Sequence, residues 1–407
     1  MNKKITLGAA IAVALMFVAI SIPLTMLYAR NEQNKLIADI PKRAKQFAVM
    51  EEVRQVAQDS YFGNIDLDAV NAETVRGYIA GLGDPHSRYL DAEEYSRYTK
   101  RLNGEMSDLG LVAVYEPDRG IVVAGVASGT PAANSGLQKG DIIQKVTADN
   151  RVILSALDVN EATSASFLSE LSNLRNVASN VTSSQVVVTY KRDDVTKTVS
   201  VMIGHNLPSV FGELINETVG HIRITGFYKT TRSQLEEAIK SLQQQYAASF
   251  LIDLRGCSEG TVAYALDALD LFVGEGSMAT VIYRNGESES FNTSATSLSM
   301  SNNIAVLINS TTEGAAELFA YDLNAYTNKK VRLVGMPTAG NNTMQKDFPL
   351  QQVNGAVLLT IGTLLPFGGN KKWADGGVKP DLKIGNPENQ LQQAVGLLTD
   401  GQSPEGS

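Results

Sequence analysis

Apolar side chains recur at helical spacing through much of the N-terminal region. They do so over residues 51–60 and 72–79, and the Gly-Leu-Gly-Asp-Pro stretch at 81–85 ends the pattern. The segment Asp91-Ala-Glu-Glu94 has the spacing of a capping box, in which each acidic side chain accepts a hydrogen bond from the other residue's backbone N–H. Residues 31–103 are therefore predicted to be helical.

From residue 104 the helical spacing gives way to short apolar runs separated by turn residues, a pattern typical of β-strands. The predicted strands are Leu111 to Tyr115, Ile121 to Val126, Gln185 to Tyr190 and Thr196 to Ile203. A helix near Ala162 to Leu174 and a polar insertion separate the first strands from the last two. Residues 104–203 are thus predicted to form a small domain rich in β-structure.

Strands and helices alternate over residues 204–390, as they do in an α/β sheet. The predicted strands are Val219 to Phe227, Phe250 to Arg255, Ile304 to Ile308 and Val331 to Val334. The predicted helices are Arg232 to Tyr246, Tyr264 to Phe272 and Ala315 to Leu323. The whole pattern indicates a multidomain protein of mixed α/β (α+β) class, with a C-terminal helix and polar tail at 391–407.

Composition narrows the class of protein. A chain of 407 residues is long enough for two or three domains, and 43% hydrophobic with 19% charged residues is typical of globular proteins. The net charge of −8 argues against nucleic acid as a partner. A single cysteine excludes an intramolecular disulfide.

The first thirty residues have the pattern of a membrane segment. Lys3 and Lys4 precede an apolar run from Ile5 to Tyr28, which is long enough to span a bilayer. The exit of this run, Met-Leu-Tyr-Ala-Arg30, lacks the small-x-small pattern of a signal-peptidase site. Residues 1–30 are predicted to be an uncleaved signal anchor of a single-pass membrane protein, or, if cleaved, the signal of a secreted one.

Two loops carry a resemblance to a known family. Asn309-Ser-Thr-Thr-Glu-Gly-Ala-Ala-Glu317 and the loop that ends at Gln345 resemble the N-x-x-x-A-S-A-x-E and G-x-x-T-x-G-K-G-x-x-Q motifs of the C-terminal processing (tail-specific) serine peptidases. Phe250 to Arg255 resembles that family's I-L-D-L-R strand. The resemblance extends over about residues 50–385 and implies a ClpP/crotonase-like peptidase core behind a PDZ domain, on the outer side of the cell membrane.

The resemblance also exposes missing chemistry. Aligning Glu317 puts Gly314 at the position of the nucleophilic Ser, and aligning Gln345 puts Asn341 at the position of the general-base Lys. Glycine has no side chain and an amide is not a base, so neither can perform the family's reaction. Gln345, which orients the Lys in the family, is retained. The sequence predicts a peptidase homologue without its catalytic dyad.

A further departure affects the oxyanion hole that the resemblance implies. The amide of Ala315, at the start of a predicted helix, suits a developing negative charge. The family's other contribution is a glycine-rich N-N-P-G-G loop, whereas this chain has Gly256-Cys-Ser-Glu-Gly260. Glu259 places a carboxylate near the predicted oxyanion and is expected to oppose it, next to the retained Gly260.

The PDZ resemblance is more complete. Leu109-Gly110-Leu111 matches the carboxylate-binding loop of PDZ domains, and Ser135-Gly-Leu-Gln-Lys-Gly-Asp-Ile-Ile143 matches their most specific segment. A loop of this kind binds a peptide C-terminus through backbone N–H groups while the peptide adds a strand to the sheet. Packing without ligand binding remains the alternative for this domain.

Three alternative sets of catalytic groups stay open. Ser310, Thr311 and Thr312 are hydroxyls on the nucleophile turn, and Thr312 could be paired with Lys346. Cys257 could act with a histidine as its base. The candidate histidines are His86, His205 and His221. The sequence gives none of them a reason to reach Cys257, and His86 and His221 occupy positions of family tyrosines.

The predicted domains are a signal anchor (1–30), a helical region (31–103), a PDZ domain (104–203), a peptidase core (204–390) and a C-terminal helix with a polar tail (391–407). We expect a catalytically inactive homologue that binds protein C-terminal peptides or a partner peptidase. An active serine-type peptidase with displaced catalytic groups is the alternative. A homodimer or a hetero-oligomer with an active paralogue is a further expectation, and no cofactor or metal is expected.

Overall fold

The computed structural model describes residues 47–105, 109–126, 130–171, 185–204, 208–294, 303–368 and 376–400, with positions 21, 25, 26, 30, 174 and 373. The predicted anchor, residues 1–30, therefore falls almost wholly outside the described residues. Among the residues that are described, no helix has both the length and the apolar character needed to cross a membrane. The chain divides into two compact units, Met1–Thr74 and Val75–Ser407.

The N-terminal region is helical, as its apolar spacing predicts. Residues 47–60 form α1, and α2 is Leu67–Ala80. A short strand, β1 (Arg88–Leu90), precedes α3 (Ala92–Leu102). The predicted capping box is present, since the Asp91 carboxylate accepts from Glu94 N and the Glu94 carboxylate accepts from Asp91 N. This box fixes the start of α3.

The next domain is an antiparallel sheet with two helices. Its strands are β2 (Leu111–Glu116), β3 (Gly120–Val126), β4 (Ile142–Ala148), β5 (Arg151–Ser155), β6 (Gln185–Arg192) and β7 (Val195–Met202). Its helices are α4 (Pro131–Asn134) and α5 (Glu161–Leu171). The strand order is β2-β3-β4-β6-β7, with β5 paired to β4, so β2 lies at an edge. A separate apolar core, with Leu109, Phe167 and Val188 among its buried members, holds these elements together.

The C-terminal domain contains a six-stranded sheet in the order β19-β16-β15-β11-β9-β8. Its strands are β8 (Val210–Leu214), β9 (Val219–Ile224), β11 (Ser249–Asp253), β15 (Asn303–Ile308), β16 (Arg332–Gly335) and β19 (Leu382–Lys383). All pairings are parallel except that of β8 with β9. Its helices are α6 (Thr231–Gln244), α7 (Val262–Leu269), α8 (Ala315–Tyr326) and α9 (Pro387–Asp400). The predicted alternation of strands and helices is confirmed.

The C-terminal domain also contains a second sheet. Its strands are β13 (Gly276–Tyr283), β14 (Ser288–Thr293), β17 (Thr343–Pro349) and β18 (Ala356–Leu365), and β1 joins its edge by pairing with β18. Two further short strands, β10 (Gly226–Phe227) and β12 (Glu259–Gly260), form a separate parallel pair. Because β1 comes from the predicted helical region, residues 88–90 of that region belong to the second sheet of the C-terminal domain.

The C-terminal helix begins earlier than the sequence predicts. It starts at Pro387, not at residue 391, and Ala394 and Leu398 pack it onto the parallel sheet. Ser209, just before β8, is buried and hydrogen-bonded to Thr231 and Gln234 on α6.

Candidate functional site

The turn between β15 and α8 has the backbone shape of a nucleophile elbow, a sharp strand-to-helix turn. Gly314, the residue before α8, has φ +60° and ψ −111°, a region that residues with a side chain rarely adopt. A β-carbon built on Gly314 would meet no neighbour closer than Nδ2 of Asn341, at 3.7 Å. The two positions that the sequence aligns with a nucleophile and a base therefore lie side by side.

Glu317 holds this arrangement together. Its buried carboxylate accepts hydrogen bonds from the backbone N–H groups of Gly314 (2.8 Å), Asn341 (2.8 Å) and Gly340 (2.7 Å), and from the Thr338 hydroxyl. Burial raises the pKa of Glu317, and these four donors oppose that rise. One side chain thus ties the elbow to the loop before β17.

The Asn341 amide uses all of its hydrogen-bonding capacity. Its Oδ1 accepts from the Thr343 N–H (3.1 Å) and from the Thr343 hydroxyl (2.6 Å). This fixes the orientation of the amide, so Nδ2 donates to Glu313 Oε1 (3.1 Å) and faces His86 Nδ1 (3.3 Å). Asn341 is therefore held in place by its neighbours, and as an amide it cannot act as a base.

Gln345 is connected to Asn341 by hydrogen bonds through Thr343. Its Nε2 donates to the Thr343 hydroxyl at 2.6 Å and to the Thr360 hydroxyl at 3.3 Å. The Thr343 hydroxyl in turn donates to Asn341. The retained glutamine therefore orients the amide that stands in the base position, by way of Thr343.

Sequence reasoning missed Glu313 at this site and named His86 only as a possible base for Cys257. The structure instead puts His86 Nδ1 3.4 Å from Glu313 Oε1, beside Asn341. The turn that carries it is held by Asp84, which accepts from His86 N and from the Ser87 hydroxyl. The available signal for Glu313 was its place in the motif, where the family has alanine.

The hydroxyls on the elbow do not replace the missing serine. The Thr312 side chain is fully buried, donates to Leu254 O (2.8 Å) and accepts from Asn309 N (3.0 Å). The Thr311 hydroxyl donates to Asn309 Oδ1 (3.0 Å). Ser310 lies exposed on the same turn. Thr312 is a structural residue, which argues against its pairing with Lys346.

The Glu259 carboxylate has two partners within the fold. Its carboxylate forms an ion pair with Arg101 and accepts a hydrogen bond from the Tyr228 hydroxyl at 2.8 Å. Burial raises the pKa of Glu259, but the charge and hydrogen bond of Arg101 and the hydrogen bond of Tyr228 act together against burial, and the net effect is a lowered pKa. Glu259 therefore has a cation partner, and its opposition to an oxyanion stays a prediction. Gly260, at φ +109°, approaches Phe227 so closely that a β-carbon would overlap its carbonyl oxygen.

Cys257 is inaccessible. Its side chain is fully buried, and burial, with the charge of Glu259, raises its pKa strongly. Its carbonyl accepts from Glu313 N at 3.0 Å, so this residue supports the elbow through its backbone.

His221 belongs to an ionic cluster on the sheet. Its Nδ1 lies 3.1 Å from Glu213 Oε1 and its Nε2 lies 3.3 Å from Asp253 Oδ2. Burial lowers the pKa of His221, but the two carboxylates outweigh burial and raise it. Arg255 also binds Asp253, at 2.7 Å. His205 lies outside the described residues.

The predicted peptide-binding loop joins an open strand edge. Gly110 has φ +78° and packs against Thr130, whose hydroxyl donates to Gly110 O (3.1 Å), while Leu109 O accepts from Ala132 N (2.8 Å). Leu111 begins β2, for which β3 is the only partner among the described strands. The helix α5 lies against β2. An edge strand beside a helix is the arrangement to which a peptide can add as a further strand.

The described part of the chain brings no three His, Cys, Asp or Glu side chains together in an arrangement that could hold a metal ion.

Comparison with known proteins agrees with this architecture. Residues 218–384 match peptidase family S41, and residues 107–203 match the PDZ domain. The carboxy-terminal processing protease CtpA of Bacillus subtilis (strain 168) is 27% identical over 338 residues, which cover 82% of this chain and 68% of that protein. The carboxy-terminal-processing protease of Bartonella bacilliformis is 26% identical over 364 residues, covering 88% of this chain and 77% of that protein.

Two solved structures share the fold. The photosystem II D1 C-terminal processing protease superposes with a TM-score of 0.51 at 20% identity, covering 85% of this chain and 90% of the other. A putative S41 protease from Bacteroides fragilis NCTC 9343 superposes with a TM-score of 0.53 at 17% identity, covering 84% and 92%.

Proposed function

The chain combines a PDZ domain with a peptidase S41 domain and is homologous to carboxy-terminal processing proteases, and on this premise we propose that it binds protein C-termini without cutting them. In this proposal it is a pseudopeptidase. The PDZ domain captures the terminal carboxylate of a protein tail, or of a partner peptidase, and the cleft beside Gly314 receives the preceding residues.

The proposed loss of catalysis rests on one observation at Gly314 and Asn341. Gly314 offers no nucleophile, and the neighbouring Asn341 amide is saturated by Thr343, Glu313 and His86. Peptide hydrolysis by a Ser–Lys dyad needs a hydroxyl and an amine that can take its proton. The hydroxyl is absent at position 314 and the amine is absent at position 341. Restoring only one of them therefore does not restore the dyad.

The alternative, an active peptidase with displaced groups, finds little support in the geometry. Thr312 is buried and uses its hydroxyl within the elbow, and Cys257 is buried with a raised pKa. His86 is close to Asn341, but a base without an accessible nucleophile does not complete a dyad.

Binding is supported by what the chain retains. Glu317 still shapes the elbow, and the edge strand β2 begins at the Leu109-Gly110-Leu111 loop. The proposal also includes a membrane anchor formed by residues 1–30, which rests on the sequence pattern. The location on the outer side of the cell membrane, and association with a second copy or with an active paralogue, rest on the family resemblance.

A paired assay tests the proposal. Full-length protein is incubated with an unstructured substrate that ends in apolar residues, and cleavage is followed by mass spectrometry while binding is followed by fluorescence anisotropy. We expect binding that is lost when the terminal carboxylate is amidated, and no cleavage. Cleavage that disappears in a Cys257→Ser/Thr312→Ala variant would show that the catalytic groups have moved. Cleavage that persists in this variant would equally refute the loss of catalysis.

A further inference from the structure

Two other glutamates of this domain, Glu317 and Glu259, have strong partners within the fold. Glu317 accepts four hydrogen bonds. Glu259 is paired with Arg101 and accepts a hydrogen bond from the Tyr228 hydroxyl.

Glu313 differs from both. Its contacts to Asn341 Nδ2 (3.1 Å) and His86 Nδ1 (3.4 Å) both involve Oε1. About a third of its side chain is exposed, at 32%. Within the part of the chain that the structure describes, no Lys or Arg lies at ion-pair distance from it. Glu313 is thus a partly exposed carboxylate at the elbow with spare acceptor capacity and no strong cation beside it.

The residue next to Glu313 leaves this part of the elbow without a side chain. Gly314 has no side chain, and a β-carbon there would approach nothing nearer than the Asn341 amide at 3.7 Å. In the serine-peptidase motif, a hydroxyl and a lysine ammonium belong to these two positions, whereas this chain has neither. The result is a partly exposed carboxylate next to a position without a side chain, in a protein with net charge −8, which favours the approach of cations.

We propose that the cleft selects peptides with a basic residue, and that the Lys or Arg side chain of the bound peptide enters the space beside Gly314 and pairs with the Glu313 carboxylate. The ligand cation then occupies the region from which the family's own lysine has been lost. This inference rests on the proposed peptide-binding function and specifies its ligand class. Pairing with a partly exposed carboxylate adds selectivity to the binding of the apolar tail.

A peptide series on the full-length protein tests it. Fluorescein-labelled peptides with one apolar C-terminal sequence carry lysine, acetyl-lysine or norleucine at each upstream position in turn, and affinity is measured by anisotropy. At one position we expect lysine to bind about three- to tenfold more tightly than norleucine or acetyl-lysine, as expected for a partly exposed ion pair. Salt at about 0.5 M should reduce this difference, because ionic screening weakens exposed pairs.

Two variants locate the effect. Glu313→Gln keeps the shape and the hydrogen bond to Asn341, and it should abolish the preference for lysine while leaving the norleucine peptide bound. Glu237→Gln, on the exposed face of α6, makes the same charge change away from the elbow and should leave the preference intact. Equal binding of lysine and norleucine peptides at every position, or a preference that survives Glu313→Gln, would overturn the inference alone. Failure of every peptide to bind would overturn the proposed function and this inference with it.

Discussion

Gly314 and Asn341 are neighbours across the cleft, since a β-carbon on Gly314 would lie 3.7 Å from Nδ2 of Asn341. The contact is maintained by Glu317, which binds the backbone N–H of both residues. The frame that would bring a nucleophile and a base together is therefore intact, although neither chemical group is present. Introducing a serine at position 314 and a lysine at position 341 tests directly whether the backbone arrangement still supports catalysis.

The double variant Gly314→Ser/Asn341→Lys should cleave an unstructured apolar tail only weakly. A lysine introduced at position 341 would lie close to Glu313, whose carboxylate favours the protonated ammonium and so raises its pKa. Adding Glu313→Ala, the residue of the family motif, removes this effect. We expect the triple variant to be faster by about tenfold or more, measured as kcat/KM near neutral pH.

The matched control for this series is the single variant Gly314→Ser. It supplies a hydroxyl without a base and should show no cleavage above that of the wild-type protein. Robust turnover by this variant would mean that another group, with His86 the nearest candidate, acts as the base.

The elbow should also resist any side chain at position 314. At φ +60° and ψ −111°, Gly314→Ala leaves enough space but forces a strained backbone, for a cost of about 1–3 kcal/mol in the free energy of unfolding. Gly396→Ala is the control, because Gly396 lies inside α9 with no atom within 4 Å of a built β-carbon. That change should be neutral or stabilising by about 0.5–1 kcal/mol. Chemical denaturation compares the two, and equal effects would contradict the strain.

The sequence predicted the local parts of this protein well. The capping box of Asp91 and Glu94, the strand before the elbow and the helix from Ala315 all follow from patterns that lie within a few residues of one another. The positions of Gly314 and Asn341 were obtained by aligning short motifs, and their adjacency could be expected only through the family resemblance.

The contacts that change the chemistry are long-range and were not predicted. His86 reaches Asn341 because β1 pairs with β18 and the Ser87 hydroxyl accepts from Thr360 N, neither of which leaves a local pattern. The pairing of Glu259 with Arg101 likewise joins β12 to α3, far away in the sequence. In the sequence, Glu259 therefore has no visible counter-charge, whereas the fold brings Arg101 to it.

Cys257 should behave as an inert thiol. Its complete burial and strongly raised pKa keep it protonated and shielded at neutral pH. We expect alkylation by iodoacetamide to be at least roughly 100-fold slower in the native protein than in denaturant. Cys257→Ala should leave peptide binding unchanged. Rapid native labelling would instead indicate an accessible thiolate and revive the cysteine alternative.

The His221 cluster should make stability depend on pH in a defined direction. Burial lowers the pKa of His221, yet Asp253 and Glu213 raise it in the folded state above its unfolded value of about 6.5. The folded protein thus binds this proton more tightly, so its stabilisation is complete below about pH 6.5 and is lost as the pH rises through the folded pKa. His221→Asn should therefore lower the free energy of unfolding by on the order of 1 kcal/mol near pH 6 and by less near pH 9. Urea denaturation of both proteins at each pH cancels the contribution of the other titrating groups, and a penalty that grew with pH would show that His221 is held neutral between its two carboxylates.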